Sequence, residues 1–249
     1  MLYPENARGT NKKMKNVLIT GASGLVGSNL CFYLADKHNV VGVYNSNEVQ
    51  IPRCNLTKID LCNEFELFEK CIVENKIDTI IHCAALTDIN ACEKDYALAY
   101  QYNVEITKKI AVCAKKNNCK LIYISTDSVF DGKKGYYRET DVPNPLNNYA
   151  KTKYLGELEV QKQFGDYLIL RSNFFGIGVS DRDTLAEWLI WNIKQRREID
   201  IYKDIIFNPV FVDHFARIVD IFLYSHKNYQ GIYHIGSEDS VSKSDFAKM

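Results

Sequence analysis

The sequence predicts an α/β protein with a doubly wound parallel sheet, and three observations carry that expectation. Short β-branched runs alternate with longer amphipathic segments, the pattern of strands joined by crossover helices. A glycine triplet spaced G-x-x-G-x-x-G stands at the first strand-to-helix junction. The chain has 249 residues, 46% hydrophobic and 25% charged, enough apolar material to bury a substantial core.

The elements follow in order. Residues 16–20, Asn-Val-Leu-Ile-Thr, form the first strand, and the glycine turn leads into a helix over 24–37. Further strands are expected at 40–44, 78–83, 120–125 and 167–171, each a short apolar run bounded by polar residues. Helices are expected between them at 62–75, 95–117 and 148–163, where apolar residues recur at helical spacing. A helix at 183–196, another at 213–226 and a strand at 231–235 complete the series. The irregular stretch from Thr126 to Asn147 is long enough to suggest function.

Residues 1–13 read as a polar, flexible arm, with Met14 an equally good start. Residues 14–172 are expected to form the cofactor domain. Residues 173–249 make a small, truncated carboxyl-terminal substrate lobe, with about 204–228 returning to the first domain. The truncation is read from Ser242 to Lys248, which starts a helix that does not develop.

Thirty-one cations balance 31 anions, so no net field recruits nucleic acid or an acidic membrane. The apolar runs at 79–86 and 218–224 are too short to span a bilayer, and the amino end has no signal-peptide core. Eight cysteines at 31, 54, 62, 71, 83, 92, 113 and 119 form no C-x-x-C pair. They read as reduced thiols of a cytoplasmic protein, and no metal site is expected.

The triplet Gly21, Gly24 and Gly27 suits a dinucleotide pyrophosphate. Glycine allows the tight turn, backbone approach to the phosphates and close packing of helix on strand. The helix amino end, with Ser23, Leu25 and Val26, offers free N–H groups and a positive dipole end. A ribose-reading acid is expected about twenty residues on. Neither an acid nor an arginine stands at Val43-Tyr44-Asn45-Ser46-Asn47. Asn45 and Ser46 suit a 2′-hydroxyl or a 2′-phosphate, which leaves NADP(H) and NAD(H) both open. Asp60-Leu61 either caps the next helix or meets the adenine amino group.

Tyr149 and Lys153 stand four apart, on one helical face. A nearby ammonium favours the phenolate, so Lys153 is expected to lower the Tyr149 pKa and make it a proton donor near neutral pH. Thr126 ends a central strand, where ligands of open α/β sheets bind, and a hydroxyl there can orient a carbonyl. Tyr33 and Lys37 repeat the spacing on the first helix and read as structural.

These residues resemble a known family. Thr20-Gly21-Ala22-Ser23-Gly24-Leu25-Val26-Gly27 with Thr126, Tyr149 and Lys153 is similar to an extended short-chain dehydrogenase/reductase of Rossmann type. The runs Ser125–Gly132 and Glu139–Glu157 resemble the dTDP-4-dehydrorhamnose reductase group, and the likeness extends from Met14 to the end. It implies that Tyr149 donates the proton, Lys153 holds the nicotinamide ribose, and Thr126 orients the carbonyl. Cys83-Ala84-Ala85 matches a cofactor-lining stretch that often reads Asn-Ala-Ala, and Asn103 matches an asparagine behind the catalytic lysine. Arg171-Ser172-Asn173 matches the segment beside the nicotinamide.

The reaction implied is reduction at C4 of a nucleotide-linked 4-keto-6-deoxysugar, as in dTDP-rhamnose and polysaccharide biosynthesis. The implied partner is that nucleotide-sugar, and pairing with a second copy of the chain as a homodimer is left open. Two alternatives share these residues. One is a cofactor-binding regulatory subunit like that of methionine adenosyltransferase, and the other a sugar-nucleotide epimerase or dehydratase.

Remaining features have plainer readings. Trp188 and Trp191 read as core packing, with a base-stacking wall as the alternative. Lys194-Gln195-Arg196-Arg197 reads as a solvated helix end, and His214 as a helix-start residue beside a capping Asp213.

Overall fold

Residues 14–163, 167–179, 184–225 and 229–249 are described by the computed structural model, and the arm expected at 1–13 lies outside them. The chain begins with β1 (Asn16–Thr20), α1 (Leu25–Leu34), β2 (Asn39–Tyr44) and β3 (Asn55–Lys58). Next come α2 (Phe65–Glu74), β4 (Thr79–His82), α3 (Ile89–Lys94), α4 (Tyr96–Tyr100), a π-helical turn (Gln101–Glu105) and α5 (Ile106–Lys116). The middle of the chain holds β5 (Lys120–Thr126), a 3-10 turn (Asp127–Val129), α6 (Asn148–Gln163) and β6 (Tyr167–Phe175). The last part holds α7 (Leu185–Lys194), β7 (Ile206–Phe207), β8 (Pro209–Phe211) and α8 (Val212–Tyr224). It ends with β9 (Gly231–Ile235), β10 (Val241–Ser242) and α9 (Lys243–Phe246).

Strand order in the main sheet is β3-β2-β1-β4-β5-β6, all parallel. β6 carries β9 along Leu168–Ser172 and β8 along Asn173–Phe175. The chain moves outward from β1 to β3, then returns and moves the other way from β4. That reversal opens a crevice at the carboxyl ends of β1 and β4, where ligands of such sheets bind.

Alternate strand residues feed two cores, as the pleat requires. Val17, Ile19, Ile81, Ile122 and Leu170 meet Leu30 and Leu34 of α1 and Phe215 and Val219 of α8. Leu18, Ile80, Tyr123 and Ile169 meet Phe68 and Ile72 of α2, Ile110 of α5 and Val160 of α6. Because both faces are covered, the inner strands carry apolar residues on both faces rather than on one, with buried polar residues towards their carboxyl ends.

The structure departs from the sequence expectations at several elements. β3 is a four-residue edge strand, Asn-Leu-Thr-Lys, with too little apolar character to announce itself. The helix expected over 95–117 is divided: Asp95 caps α4 by accepting from Leu98 N, and the π-helical turn separates α4 from α5. The helix expected from 62 starts at Phe65 instead, because Asp60 accepts the Cys62 and Asn63 donors in a preceding turn. Asp213 is not a cap. The residue before α8 is Phe211, which lacks a capping side chain, and Asp213 lies within the first turn, paired to Arg217 at 2.9 Å. At the end of the chain Ser242 caps α9, and Phe246 packs edge-on against Phe175 and Phe207 at 5.1 and 5.6 Å.

Tyr33 and Lys37 form a structural tie between α1 and α8. Lys37 Nζ donates to Tyr33 Oη and to Asp220 Oδ2, both at 2.7 Å. His38 joins them, its Nε2 at 3.0 Å from Asp220 Oδ1. Burial alone would raise the Asp220 carboxyl, but the His38 and Lys37 hydrogen bonds outweigh it and hold the pKa below its ordinary value. Asp220→Ala should cost about 1–3 kcal/mol, because a buried donor loses its partner. A carboxyl held low in the folded state stabilises above its unfolded pKa, near 4, and that stability is lost as pH falls through the folded value. Urea midpoints measured from pH 7 down to pH 3 should therefore fall more steeply for wild type than for Asp220→Ala.

Candidate active site

The glycine turn is shaped by contacts that leave no room for side chains at two of its three glycines. Gly21 has φ +70°, and a Cβ there would lie 2.8 Å from Ala84 N. At Gly27 a Cβ would lie 2.1 Å from the Gly21 carbonyl oxygen, because α1 starts directly over the turn. Gly24 is different. It caps α1 with extended backbone and no side-chain hydrogen bond, and a Cβ there would make only a 3.4 Å contact. Ser23, Leu25 and Val26 are half-buried around this helix start.

A buried chain of hydrogen bonds connects the turn to β4 and α5. Thr20 Oγ1 accepts from Cys83 N and Ala84 N at 3.2 Å each and contacts His82 Nδ1 at 2.7 Å. His82 Nε2 lies 3.1 Å from Thr107 Oγ1, which itself donates to the Asn103 carbonyl at 2.7 Å. The protons are then determined: Nε2 donates to Thr107, and Nδ1 accepts from Thr20. Burial, then the Lys153 ammonium, drives the His82 pKa down to about 3, so the imidazole is neutral. Cys83, Ala84 and Ala85 run half-buried along the crevice, with burial pushing the Cys83 thiol up to about 12.

Asn103 sits in the π-helical turn, a widened coil that recurs at functional sites. Its side chain accepts from Leu86 N at 2.8 Å and donates to Leu86 O and Thr152 Oγ1 at 3.0 Å each. Thr152 belongs to α6, between Tyr149 and Lys153. Asn103 therefore holds the catalytic-candidate helix against the segment after β4.

The expected link from Lys153 to Tyr149 is corrected by the structure. Lys153 Nζ donates to the Ile124 carbonyl at 2.8 Å and lies 4.1 Å from the Tyr123 ring centre. Burial lowers its pKa to about 7, against an opposing pull from Glu157. The Tyr149 phenol moves up, to about 12, chiefly through burial; a hydrogen bond shared with Thr126 pulls the other way, and the Asp127 charge adds to the rise. Tyr149 and Thr126 are brought together, whereas the Lys153 ammonium is held by β5.

Sequence reasoning missed the buried polar cluster behind these residues. Glu157 and Arg171, 0% and 2% exposed, form a fork: Nε donates to Oε1 at 2.9 Å and Nη2 to Oε2 at 2.6 Å. Ser125 Oγ donates to Glu157 Oε1 at 2.5 Å, and Phe130 lies 5.2 Å from the guanidinium. Asn173 Nδ2 donates to both Asp127 oxygens at 3.2 Å. The available signal was an acid four residues after Lys153 together with an arginine inside an apolar strand. Ser172 Oγ, within β6 and paired with Thr126 of β5, is buried with no hydrogen-bond partner in the described structure.

At the adenosine end, Asn45 and Ser46 are exposed after β2, while Leu61 is buried in the α2 core. The Asp60 carboxylate is engaged by Cys62 N and Asn63 Nδ2 at 2.9 and 2.8 Å in the turn before α2, and it does not cap that helix, which follows Glu64. Trp191 is 45% exposed, with the Arg197 guanidinium 4.3 Å from its ring, so it does not serve the core; Trp188 is half-buried. His214 meets Phe211 edge-on at 5.8 Å, away from Tyr149 in sequence and on a different element.

The site fits a dinucleotide on its own geometry. Gly24 is exposed at the α1 amino end, where a Cβ would meet only the Gly21 oxygen at 3.4 Å, so a phosphate can approach the backbone there, and Ser172 supplies a buried hydroxyl with no partner in the described structure.

Comparison with known proteins points the same way. The chain is 31% identical over 235 residues to a probable low-salt glycan biosynthesis reductase of Haloferax volcanii, covering 92% of this chain and 77% of that protein. It is 30% identical over 241 residues to a dTDP-4-dehydrorhamnose reductase of Aggregatibacter actinomycetemcomitans, covering 94% and 77%. The dTDP-4-dehydrorhamnose reductase of Bacillus anthracis, solved in complex with NADP, superposes with a TM-score of 0.81 at 29% identity, covering 96% and 80%. The RmlD substrate binding domain profile matches residues 14–249, and the chain belongs to that family, within the extended short-chain dehydrogenase/reductases.

Proposed function

We propose that the chain is an NAD(P)H-dependent oxidoreductase that reduces a nucleotide-linked 4-keto-6-deoxysugar at C4. The observation that carries this reading is the meeting of Thr126 and Tyr149 at the carboxyl end of β5, with Lys153 bound one residue-pair below them.

In this reading Gly21, Ser23, Gly24, Leu25, Val26 and Gly27 receive the pyrophosphate at the α1 amino end. Asn45, Asp60 and Leu61 flank the adenosine, and the same residues admit NADP(H) or NAD(H). Cys83, Ala84 and Ala85 line the nicotinamide side, Asn103 fixes α6, and Ser172 offers its hydroxyl. When bound, the nicotinamide supplies the hydride. Lys153 holds the ribose, Thr126 orients the sugar carbonyl, and Tyr149 delivers its proton to the new alkoxide. Residues 173–249 serve as the substrate lobe.

A Tyr149 pKa near 12 does not oppose this role. An alcohol is about as weak an acid as water, roughly 15.7, so transfer from the phenol to an alkoxide remains downhill. The high value also keeps the phenol loaded with its proton at neutral pH.

The test is to mix the protein with reduced cofactor and a panel of nucleotide-linked 4-keto sugars and follow absorbance at 340 nm. Oxidation with at least one sugar is expected. Tight cofactor binding without oxidation of any sugar would favour a regulatory subunit, and altered sugar without net oxidation an epimerase or dehydratase.

A further inference from the structure

We propose that Glu157 is a positioning residue for Lys153: its buried carboxylate, gripped by Arg171 and Ser125, keeps the Lys153 ammonium charged and seated on β5. Lys153 and Glu157 stand four apart on α6 and so share a face. Consecutive β5 residues receive them. Tyr123 offers its ring to Lys153, Ile124 its carbonyl to Nζ at 2.8 Å, and Ser125 its hydroxyl to Glu157 at 2.5 Å. Gly156 permits the approach, since a Cβ there would lie 2.6 Å from Asn103 O and from Tyr123 Oη.

The groups facing Lys153 from every side leave Glu157 as the anion. On the β4 side, His82 is neutral, with its pKa near 3, and Cys83 is a thiol, with its pKa near 12. Tyr123 on β5 and Tyr149 on α6 both have phenols raised by burial. Burial pulls the Lys153 ammonium down, and Glu157 is the first group opposing it. A buried ion pair is not needed for stability, since well-packed apolar replacements are often neutral or stabilising. Its presence one turn from Lys153 is better accounted for by the charge it holds there.

The consequence for catalysis rests on the reductase reading, but the titration of Lys153 can be followed without turnover. The experiment is NMR of ¹³Cε-lysine in the full chain, with the Lys153 signal assigned by Lys153→Arg. It compares wild type, Glu157→Gln and the double variant Glu157→Gln/Arg171→Met. The double variant removes the unpaired buried guanidinium that would otherwise compromise folding.

Lys153 should lose its proton at a pH about one unit lower in both variants, a roughly tenfold smaller charged fraction on the basic side. Where a sugar is reduced, kcat/KM should fall off at the correspondingly lower pH. A double variant whose Lys153 titrates as in wild type overturns the proposal. Absence of turnover with every sugar overturns the reductase reading instead, and leaves the NMR result to decide the role of Glu157.

Discussion

Tyr149→Phe is expected to slow sugar reduction by about 100- to 10,000-fold, the range of a lost general acid. The phenol beside Thr126 is the proposed proton source, and no second acid in the described site is as well situated. Asp127 is tied up by both contacts to Asn173. His82 is neutral and buried at the end of β4, and its Nε2 proton is already given to Thr107. Cofactor affinity should change by no more than about tenfold, the worth of one neutral hydrogen bond.

The pH profile separates the two residues further. With the Tyr149 pKa at about 12 and that of Lys153 at about 7, a loss of rate above neutrality belongs to Lys153 losing its charge. The residual activity of Tyr149→Phe should therefore keep the wild-type fall above pH 7. A variant profile flat through that range, or a rate within a few-fold of wild type, would remove Tyr149 from the chemistry. The comparison needs steady-state rates across pH 5–10 and a direct cofactor titration by fluorescence.

How much of this was legible in the sequence depends on whether the signal was local. β1, the glycine turn and α6 are local: β-branched runs, glycine spacing and an i, i+4 pair suffice to place them. The edge strand β3 was not legible, because Asn55-Leu56-Thr57-Lys58 becomes a strand only by pairing with β2. The π-helical turn was hidden for a related reason. Asn103 stands out only through the family resemblance; by spacing alone it is an ordinary helix residue, and the widened turn shows only once Leu86 and Thr152 hold its side chain.

Electrostatics at the site show the same limit. The spacing of Tyr149 and Lys153 allows an ammonium beside a phenol, but spacing cannot say what else competes for that ammonium. The Ile124 carbonyl and the Tyr123 ring, both on another element, capture it. Tyr33 and Lys37 make the contrast plain: there the same spacing does yield a 2.7 Å hydrogen bond, because the acceptor from another element, Asp220 of α8, lies where Nζ reaches both groups. Glu157 and Arg171 are separated by a helix end and a strand, so their pairing belongs to the fold and not to any window of sequence.

The second large effect is expected at Gly27, where the need for glycine comes from the fold itself. A Cβ at Gly27 would lie 2.1 Å from the Gly21 oxygen and 2.7 Å from its carbonyl carbon. Both are backbone atoms, so no rotamer change relieves the overlap, and the α1 start must move off the turn. Gly21 is closely flanked in turn, since a Cβ there would lie 2.8 Å from Ala84 N. Gly27→Ala should thus cost about 3 kcal/mol or more without any cofactor present, at or above the usual range for overpacking. Moving the helix start also displaces the N–H groups proposed to receive the pyrophosphate, so cofactor affinity should drop by about 100-fold or more, equivalent to about 2.7 kcal/mol.

Gly24→Ala supplies the contrast. A Cβ there meets only Gly21 O at 3.4 Å, and its backbone, φ −82° and ψ 169°, suits any residue. Stability should fall by no more than about 1 kcal/mol, the usual scale for alanine at a helix amino cap. Affinity should still fall, since the second glycine of such a turn is where a pyrophosphate approaches the backbone. Urea unfolding without cofactor, paired with fluorescence titration of NADPH and NADH, reads both quantities. Equal stability losses in the two variants would refute the steric account of Gly27. Unchanged affinity in Gly24→Ala would mean that the pyrophosphate does not lie over this turn.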